Sequence, residues 1–146
     1  MKARVSPVFT LAALAVVSAL AAGCGDTPTS PSSYAPFSQV DLRAGTGAEA
    51  VSGKTVPAHY TGWLYDDTKT ENKGAEFGTS IGGGPFLFVL GAGQVIAGWD
   101  QGLVGMKVGG LRRLVIPPSL AYGGTRNGPI PPNATLIFEI ELVDVQ

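Results

Sequence analysis

The run Val95-Ile96-Ala97-Gly98-Trp99-Asp100-Gln101-Gly102 sets a large aromatic directly behind an apolar dipeptide and a glycine, in the first turn of a short predicted helix. A ring in that position can floor a pocket. Tyr60, Phe77, Phe86, Tyr122, Ile130 and Phe138 recur around it on predicted strands and loops, and together they describe an aromatic-lined cleft with almost no ionisable chemistry. The constellations most enzymes need are missing. The single histidine, His59, alternates out of phase with Tyr60 and has no cysteine or second histidine beside it, so it reads as structural and no metal or other cofactor is expected. Gly82-Gly83-Gly84 lacks the Gly-Lys-Ser/Thr of a phosphate cradle, and Pro85 blocks a following helix, which leaves a turn or bulge. Serines and threonines are plentiful, but no histidine is placed to activate one. Each aromatic taken alone is equally well explained as core, since Phe86 and Phe138 would be buried in any β domain. Trp99 and Tyr122 stand apart because each adjoins glycines that let a loop approach closely.

The elements that must position these residues are mostly strands. Leu136, Phe138, Ile140 and Leu142 point one way and Ile137, Glu139, Glu141 and Val143 the other, the pattern of a half-buried antiparallel strand. Thr55 to Leu64 alternates likewise, with Val56, Ala58, Tyr60, Gly62 and Leu64 on one face; Pro57 lacks a ladder donor and argues for an edge position or a bulge. Leu111 to Ile116 sets Leu114 and Ile116 opposite Arg113, and Phe86 to Leu90 is a short strand. Only Gly98 to about Val104 reads as helix, with Asp100 in the first turn where the helix dipole favours a carboxylate. Asp66 to Gly74 reads as a polar hairpin loop. Periodicity alone supports an α+β domain with few helices.

The segments His59-Tyr60-Thr61-Gly62, Pro85-Phe86, Leu90-Gly91, Val95-Ile96-Ala97-Gly98-Trp99, Gly105-Met106, Val108-Gly109, Leu120-Ala121-Tyr122-Gly123 and Ile130-Pro131-Pro132-Asn133-Ala134-Thr135-Leu136 run in this order from about Gln39 to Gln146. Their pattern resembles the FKBP-type peptidyl-prolyl cis-trans isomerases, the macrolide-binding immunophilins. The resemblance implies a twisted antiparallel sheet of five or six strands wrapped around one short helix. It implies rotation about X-Pro bonds, with Tyr60, Phe77, Trp99, Tyr122 and Phe138 as catalytic residues and Phe86, Val95, Ile96 and Ile130 as substrate-binding ones. Trp99 matches the pocket floor, and the Ile96 N–H and the Tyr122 hydroxyl match the groups that bond the ligand's carbonyls. Proline-containing polypeptides are the implied substrates and rapamycin-type macrolides the implied inhibitors of a monomer. Amide rotation needs no acid, base or nucleophile, which agrees with the screen above.

Two departures from the family pattern concern the pocket wall. Gly78 stands after Phe77 where the family usually has Asp, and Gly82-Gly83-Gly84 occupies the region of a common basic residue. The loop from Thr125 to Pro129 is also shortened. Either the missing carboxylate tunes the rate, or Gly78 holds a left-handed backbone in a rebuilt loop where no side chain is tolerated. A catalytically weak module that binds proline peptides, and a holdase chaperone, are the alternatives to an enzyme.

The N-terminus is a different class of sequence. Lys2 and Arg4 precede the apolar stretch Val8 to Ala22, the arrangement of a secretory signal too short for a comfortable membrane span. It ends Leu20-Ala21-Ala22-Gly23-Cys24, which resembles the lipobox of bacterial lipoproteins and implies a lipid on the only cysteine. Residues 1–23 are thus expected to be a signal peptide, 24–38 a disordered tether rich in Pro, Ser and Thr, and 39–146 the isomerase domain. The expected location is the periplasmic or cell-surface side of a membrane, with Gly25 favouring the outer one. Eight of the ten basic and all eleven acidic residues lie beyond Cys24, so the processed chain would carry a formal charge of about −3, with no basic stripe for nucleic acid.

Overall fold

A computed structural model describes residues 34–146. The expected signal peptide, Cys24 and most of the expected tether lie outside the described residues. The C-terminal strand β6 (Leu136–Leu142) is central, pairing antiparallel with β5 (Leu111–Ile116) on one side and β2 (Thr55–Tyr65) on the other. Strand β1 (Ser38–Arg43) extends the sheet beyond β5. Strands β3 (Lys73–Thr79) and β4 (Phe86–Val89) share the far side of β2, β4 along its first residues and β3 along its last. The result is the six-stranded antiparallel sheet of an α+β domain, with one short helix, α1 (Ala97–Gly102), packed on it.

The inward positions predicted from alternation form the core. Val56, Ala58, Leu114, Ile116, Leu136 and Ile140 are fully buried, and Phe138 is 4% exposed. Full burial of such a side chain is worth about 1.5–3 kcal/mol. Helix α1 lies close to β5 because its inward positions are glycines: a Cβ on Gly98 would sit 2.5 Å from Ile116 Cγ2, and one on Gly102 2.8 Å from Leu114 Cδ2.

Arg112 occupies the next inward position of β5 and is 7% exposed. Its Nη1 donates to the Gly102 and Val104 carbonyls at 2.9 and 3.3 Å, while Nε and Nη2 reach Asp41 of β1 at 2.6 and 3.1 Å. One guanidinium therefore satisfies carbonyls at the helix C-terminus and fixes the edge strand. The same bond holds the Asp41 carboxyl below its usual range.

Several sequence expectations shift. The helix ends at Gly102, with Leu103 as its cap, short of Val104. Lys73 and Gly74 belong to β3; the hairpin turn before them is narrowed by Asp66, whose Oδ1 accepts from Thr68 N–H and Oγ1 at 3.0 and 2.6 Å. Pro57 lies between β4 and the chain that follows β6. Its carbonyl accepts from Val143 N–H at 3.0 Å beyond the last β6 residue, so neither an edge nor a bulge is needed to accommodate it. Phe37 packs against the core and Ser38 opens β1, so the fold begins before residue 39. Ile137 points outward as predicted yet is 1% exposed, registered between Val115 and Trp63, over whose ring Lys73 Nζ sits at 4.5 Å.

On that outer face Lys73 and Arg113 each pair with both Glu71 and Glu139, at 2.7–2.9 Å. Bonds first from Arg113 and then from Lys73 hold Glu71 at about 2. Burial pushes Glu139 up, but the same two cations outweigh it and leave its carboxyl below the usual range. Both carboxyls titrate lower in the folded chain than in the unfolded one. Their stabilisation is therefore complete above about pH 4.5 and is lost as pH falls toward 2. Glu139→Gln should cost about 1–2 kcal/mol at neutral pH and flatten the fall in stability below about pH 4.5, read as urea midpoints across pH.

Candidate active site

The site forms where the N-terminal turn of α1 meets the sheet. Trp99 is 4% exposed and ringed by aromatics: Phe138 at 5.2 Å, Tyr60 at 5.4 Å, Phe88 at 5.5 Å and Phe86 at 6.2 Å between centroids. The Phe138, Tyr60 and Phe86 contacts are edge-to-face, an arrangement that favours one orientation beyond the area buried. Strands β2, β3, β4 and β6 each deliver at least one ring, and Phe77 meets Phe138 at 5.4 Å. Gly62 makes that meeting possible, since a Cβ there would lie 2.5 Å from Phe77 Cζ and 2.9 Å from Phe138 Cε1. Trp99 Nε1 is buried with no hydrogen-bond partner among the described residues.

Above Trp99 opens a cleft of about 310 Å³. All nine residues singled out from the sequence border it: Tyr60, Phe77, Phe86, Val95, Ile96, Trp99, Tyr122, Ile130 and Phe138. Gly78, Gln94, Asn127 and Pro129 complete the lining, and no lining residue bears a charge at neutral pH. Burial separates floor from rim. Phe138 at 4% is core as well as wall, whereas Phe86 at 44% and Tyr122 at 36% are far more exposed than a core role would leave them.

Backbone geometry at the helix entrance is held by Asp100. Its two carboxylate oxygens accept from Gly91 and Gly93 N–H at 2.8 and 3.0 Å, fixing a turn in which both glycines have positive φ. That turn delivers Gln94, Val95 and Ile96 to the cleft. Gln94 Oε1 is itself anchored by Val89 N–H at 2.9 Å. The Ile96 carbonyl receives Trp99 N–H at 2.9 Å, while its own N–H meets no backbone acceptor among the described residues. Tyr60 is fixed from the other side: Ser80 Oγ accepts its N–H at 2.9 Å, Ser80 N–H donates back to its carbonyl at 2.9 Å, and His59 Nδ1 lies 3.1 Å from Ser80 Oγ.

Sequence reasoning missed Phe88, Gln94, Asn127, Pro129 and the anchoring by Asp100 and Ser80. The inward parity of Phe88 with Phe86 was a usable signal. Side-chain bonds to loop amides leave no periodic trace. Gly78 lies in β3 and is not among the positive-φ glycines, so a rebuilt left-handed loop is excluded there.

This geometry defines a class of protein: one with an aromatic-walled cleft free of charged side chains, its floor fixed by packing and its entrance by a few hydrogen bonds. The model of the FKBP-type peptidyl-prolyl cis-trans isomerases matches residues 47–143. An FK506-binding protein of Neisseria meningitidis serogroup A is 50% identical over 107 residues, covering 72% of this chain and 92% of that relative. One from Streptomyces anulatus is 50% identical over 108 residues, covering 72% and 82%. The crystal structure of AtFKBP13 matches with a TM-score of 0.66 at 40% identity, over 75% of this chain and 93% of that one. FkpA from Escherichia coli matches at 0.64 and 40%, over 75% of this chain and 48% of that one. The chain belongs to the FKBP-type family, whose members are peptidyl-prolyl cis-trans isomerases.

The two glycines facing each other across β2 and β3 should respond oppositely to a methyl group. Gly62→Ala should cost about 2–4 kcal/mol by forcing apart the Phe77 and Phe138 rings. Gly78→Ala, with open space and an ordinary backbone, should be neutral or stabilising by up to about 1 kcal/mol. Urea denaturation of the two variants checks both.

Proposed function

We propose that this chain accelerates X-Pro rotation in exported polypeptides by stripping water from the prolyl amide and holding it twisted over Trp99. The barrier of about 18–20 kcal/mol reflects the C–N resonance that must be broken. A twisted amide has less charge separation than a planar one, so an apolar, uncharged wall favours the transition state over the ground state. In this reading Tyr60, Phe77, Trp99, Tyr122 and Phe138 contact the reacting amide, and Phe86, Val95, Ile96 and Ile130 seat the ring. The Ile96 N–H and the Tyr122 hydroxyl donate to the flanking carbonyls. The observation that carries the reading is a cleft enclosed by aromatic rings on four strands and lined by no charged side chain. The relatives' names as FK506-binding proteins support macrolides as competitors for it.

A proline-limited refolding assay tests the proposal. Turnover blocked by a rapamycin-type macrolide is expected; binding without turnover would instead make the chain a peptide-binding module. Trp99→Leu should lower kcat/KM at least about tenfold, or about 1.4 kcal/mol. A folded variant with full activity would remove Trp99 from the mechanism.

The proposal extends to location. Cleavage before Cys24 and lipidation of its sulfur would hold a monomeric domain on a short tether at the outer membrane, facing the periplasm or cell surface, where newly exported chains fold. Cys24→Ser should move the protein from the detergent phase to the aqueous phase of a Triton X-114 partition, because the thioether cannot form without sulfur. Identical partitioning and mature mass in both proteins would mean ordinary secretion.

A further inference from the structure

Packing or backbone shape demands a glycine at several places in this fold, but not at position 78. Gly62 and Gly98 would each drive a Cβ into a neighbouring side chain, and Gly91 and Gly93 have positive φ. At Gly78 φ is ordinary, and a Cβ would meet only Tyr60 Oη at 3.9 Å and Tyr60 Cε2 at 4.0 Å. The glycine therefore leaves a notch in the sheet-side wall of the cleft, bounded by the Tyr60 hydroxyl. The Tyr60 ring is held at 5.4 Å from Trp99 and 6.2 Å from both Phe86 and Phe138, and Ser80 clamps its backbone. Its hydroxyl pairs with no side chain among the described residues, so a fixed donor faces an empty notch. The Asp100 carboxylate, at the entrance of α1, is engaged by the Gly91 and Gly93 amides and does not line the cleft.

In the isomerase reading the proline ring lies on Trp99 and the Ile96 N–H donates to a flanking carbonyl, which leaves the sheet-side wall, with Gly78 and Tyr60, for the residue before proline. We infer that Gly78 determines specificity there: the notch admits the side chain preceding proline, and the Tyr60 hydroxyl donates to it, so that the cleft accepts an acidic residue at that position. A phenol donating to a carboxylate makes a short, charge-assisted bond. The lining contains no anion to repel the carboxylate, and desolvation, which would otherwise oppose its burial, is offset by that bond. This inference rests on the isomerase reading above.

The test uses tetrapeptides that differ only in the residue before proline, Leu, Gln or Glu, with kcat/KM and Kd measured for each. The wild-type protein should turn over the Glu peptide within about tenfold of the Leu peptide. Gly78→Asp places a second carboxylate in the notch and should lower the Glu-to-Leu ratio at least about tenfold, while leaving the Gln-to-Leu ratio within about threefold. Gly78→Ala should leave both ratios within about threefold, because it fills little of the notch and adds no charge. Tyr60→Phe should lower the Glu-to-Leu ratio about three- to tenfold beyond any common loss of rate. An unchanged Glu-to-Leu ratio in Gly78→Asp, or strong rejection of the Glu peptide by the wild type, overturns the inference. Binding of all peptides without turnover would instead overturn the isomerase reading, and the Kd ratios would still decide the role of Gly78.

Discussion

The closeness of one six-residue helix to strand β5 is the constraint on which the site depends. Two glycines one turn apart let α1 settle against Ile116 and Leu114, and this sets the depth of Trp99 between them. A helix this short has little stability of its own. It is held from both ends instead: Arg112 takes carbonyls at its C-terminus, while Asp100, in its first turn, ties down the loop that enters it. Arg112 also grips Asp41, so the edge strand, the central sheet and the helix converge on one side chain. A larger residue at 98 or 102 would lift the indole, and every ring that packs edge-on against it would lose its partner. The floor of the cleft is thus a consequence of backbone approach more than of the tryptophan itself.

Charge is segregated with the same consistency. The ion pairs seen among the described residues lie on the outer face or toward the β1 edge, with Lys73, Arg113, Glu71 and Glu139 mutually neutralised away from the cleft. The cleft is left with phenols, amides and backbone groups as its polar inventory. Those are the groups that can hold an amide without protonating it, and the absence of a charged wall keeps the local medium apolar. A reaction whose transition state is less polar than its ground state gains from that environment. The separation also serves the fold, because Lys73, Arg113 and Glu139 are largely buried on the outer face and satisfy one another there.

How much of this was legible depended on whether the signal was periodic. Strands β2, β5 and β6 could be read from alternation because one face of each is buried, and the helix from a single apolar dipeptide and its glycines. β1 is exposed along its length and β3 has no fully buried residue, and neither carries a hydrophobic stripe to betray it. Arg112 fell on the inward parity of β5, yet a buried arginine is unreadable until the partners that satisfy it are in view. The cleft aromatics were recoverable from their types and their glycine neighbours, and the resemblance to a family supplied their grouping. Gly78 shows the opposite case: sequence alone could not separate a glycine required by φ from one that merely leaves room, because the two differ only in backbone geometry.

The same rings serve the core and the cleft, and burial along them is graded. Trp99 and Phe138 at 4% exposure are held by packing on most sides, Phe77 and Tyr60 are half-buried, and Phe86 and Tyr122 stand at the rim. A rim residue can exchange contacts with solvent for contacts with a peptide at little cost to the fold. A floor residue cannot move at all, since its cavity would have to be refilled at about 3–5 kcal/mol. The gradient therefore divides labour within a single aromatic cluster: the floor supplies a fixed apolar surface against which an amide can twist, and the rim supplies the adaptability needed to accept differing sequences on either side of proline. Gly78 extends that adaptability into the sheet wall. It is the one place along the cleft where the fold gives up a side chain without needing to, beside a hydroxyl that the fold itself leaves unused.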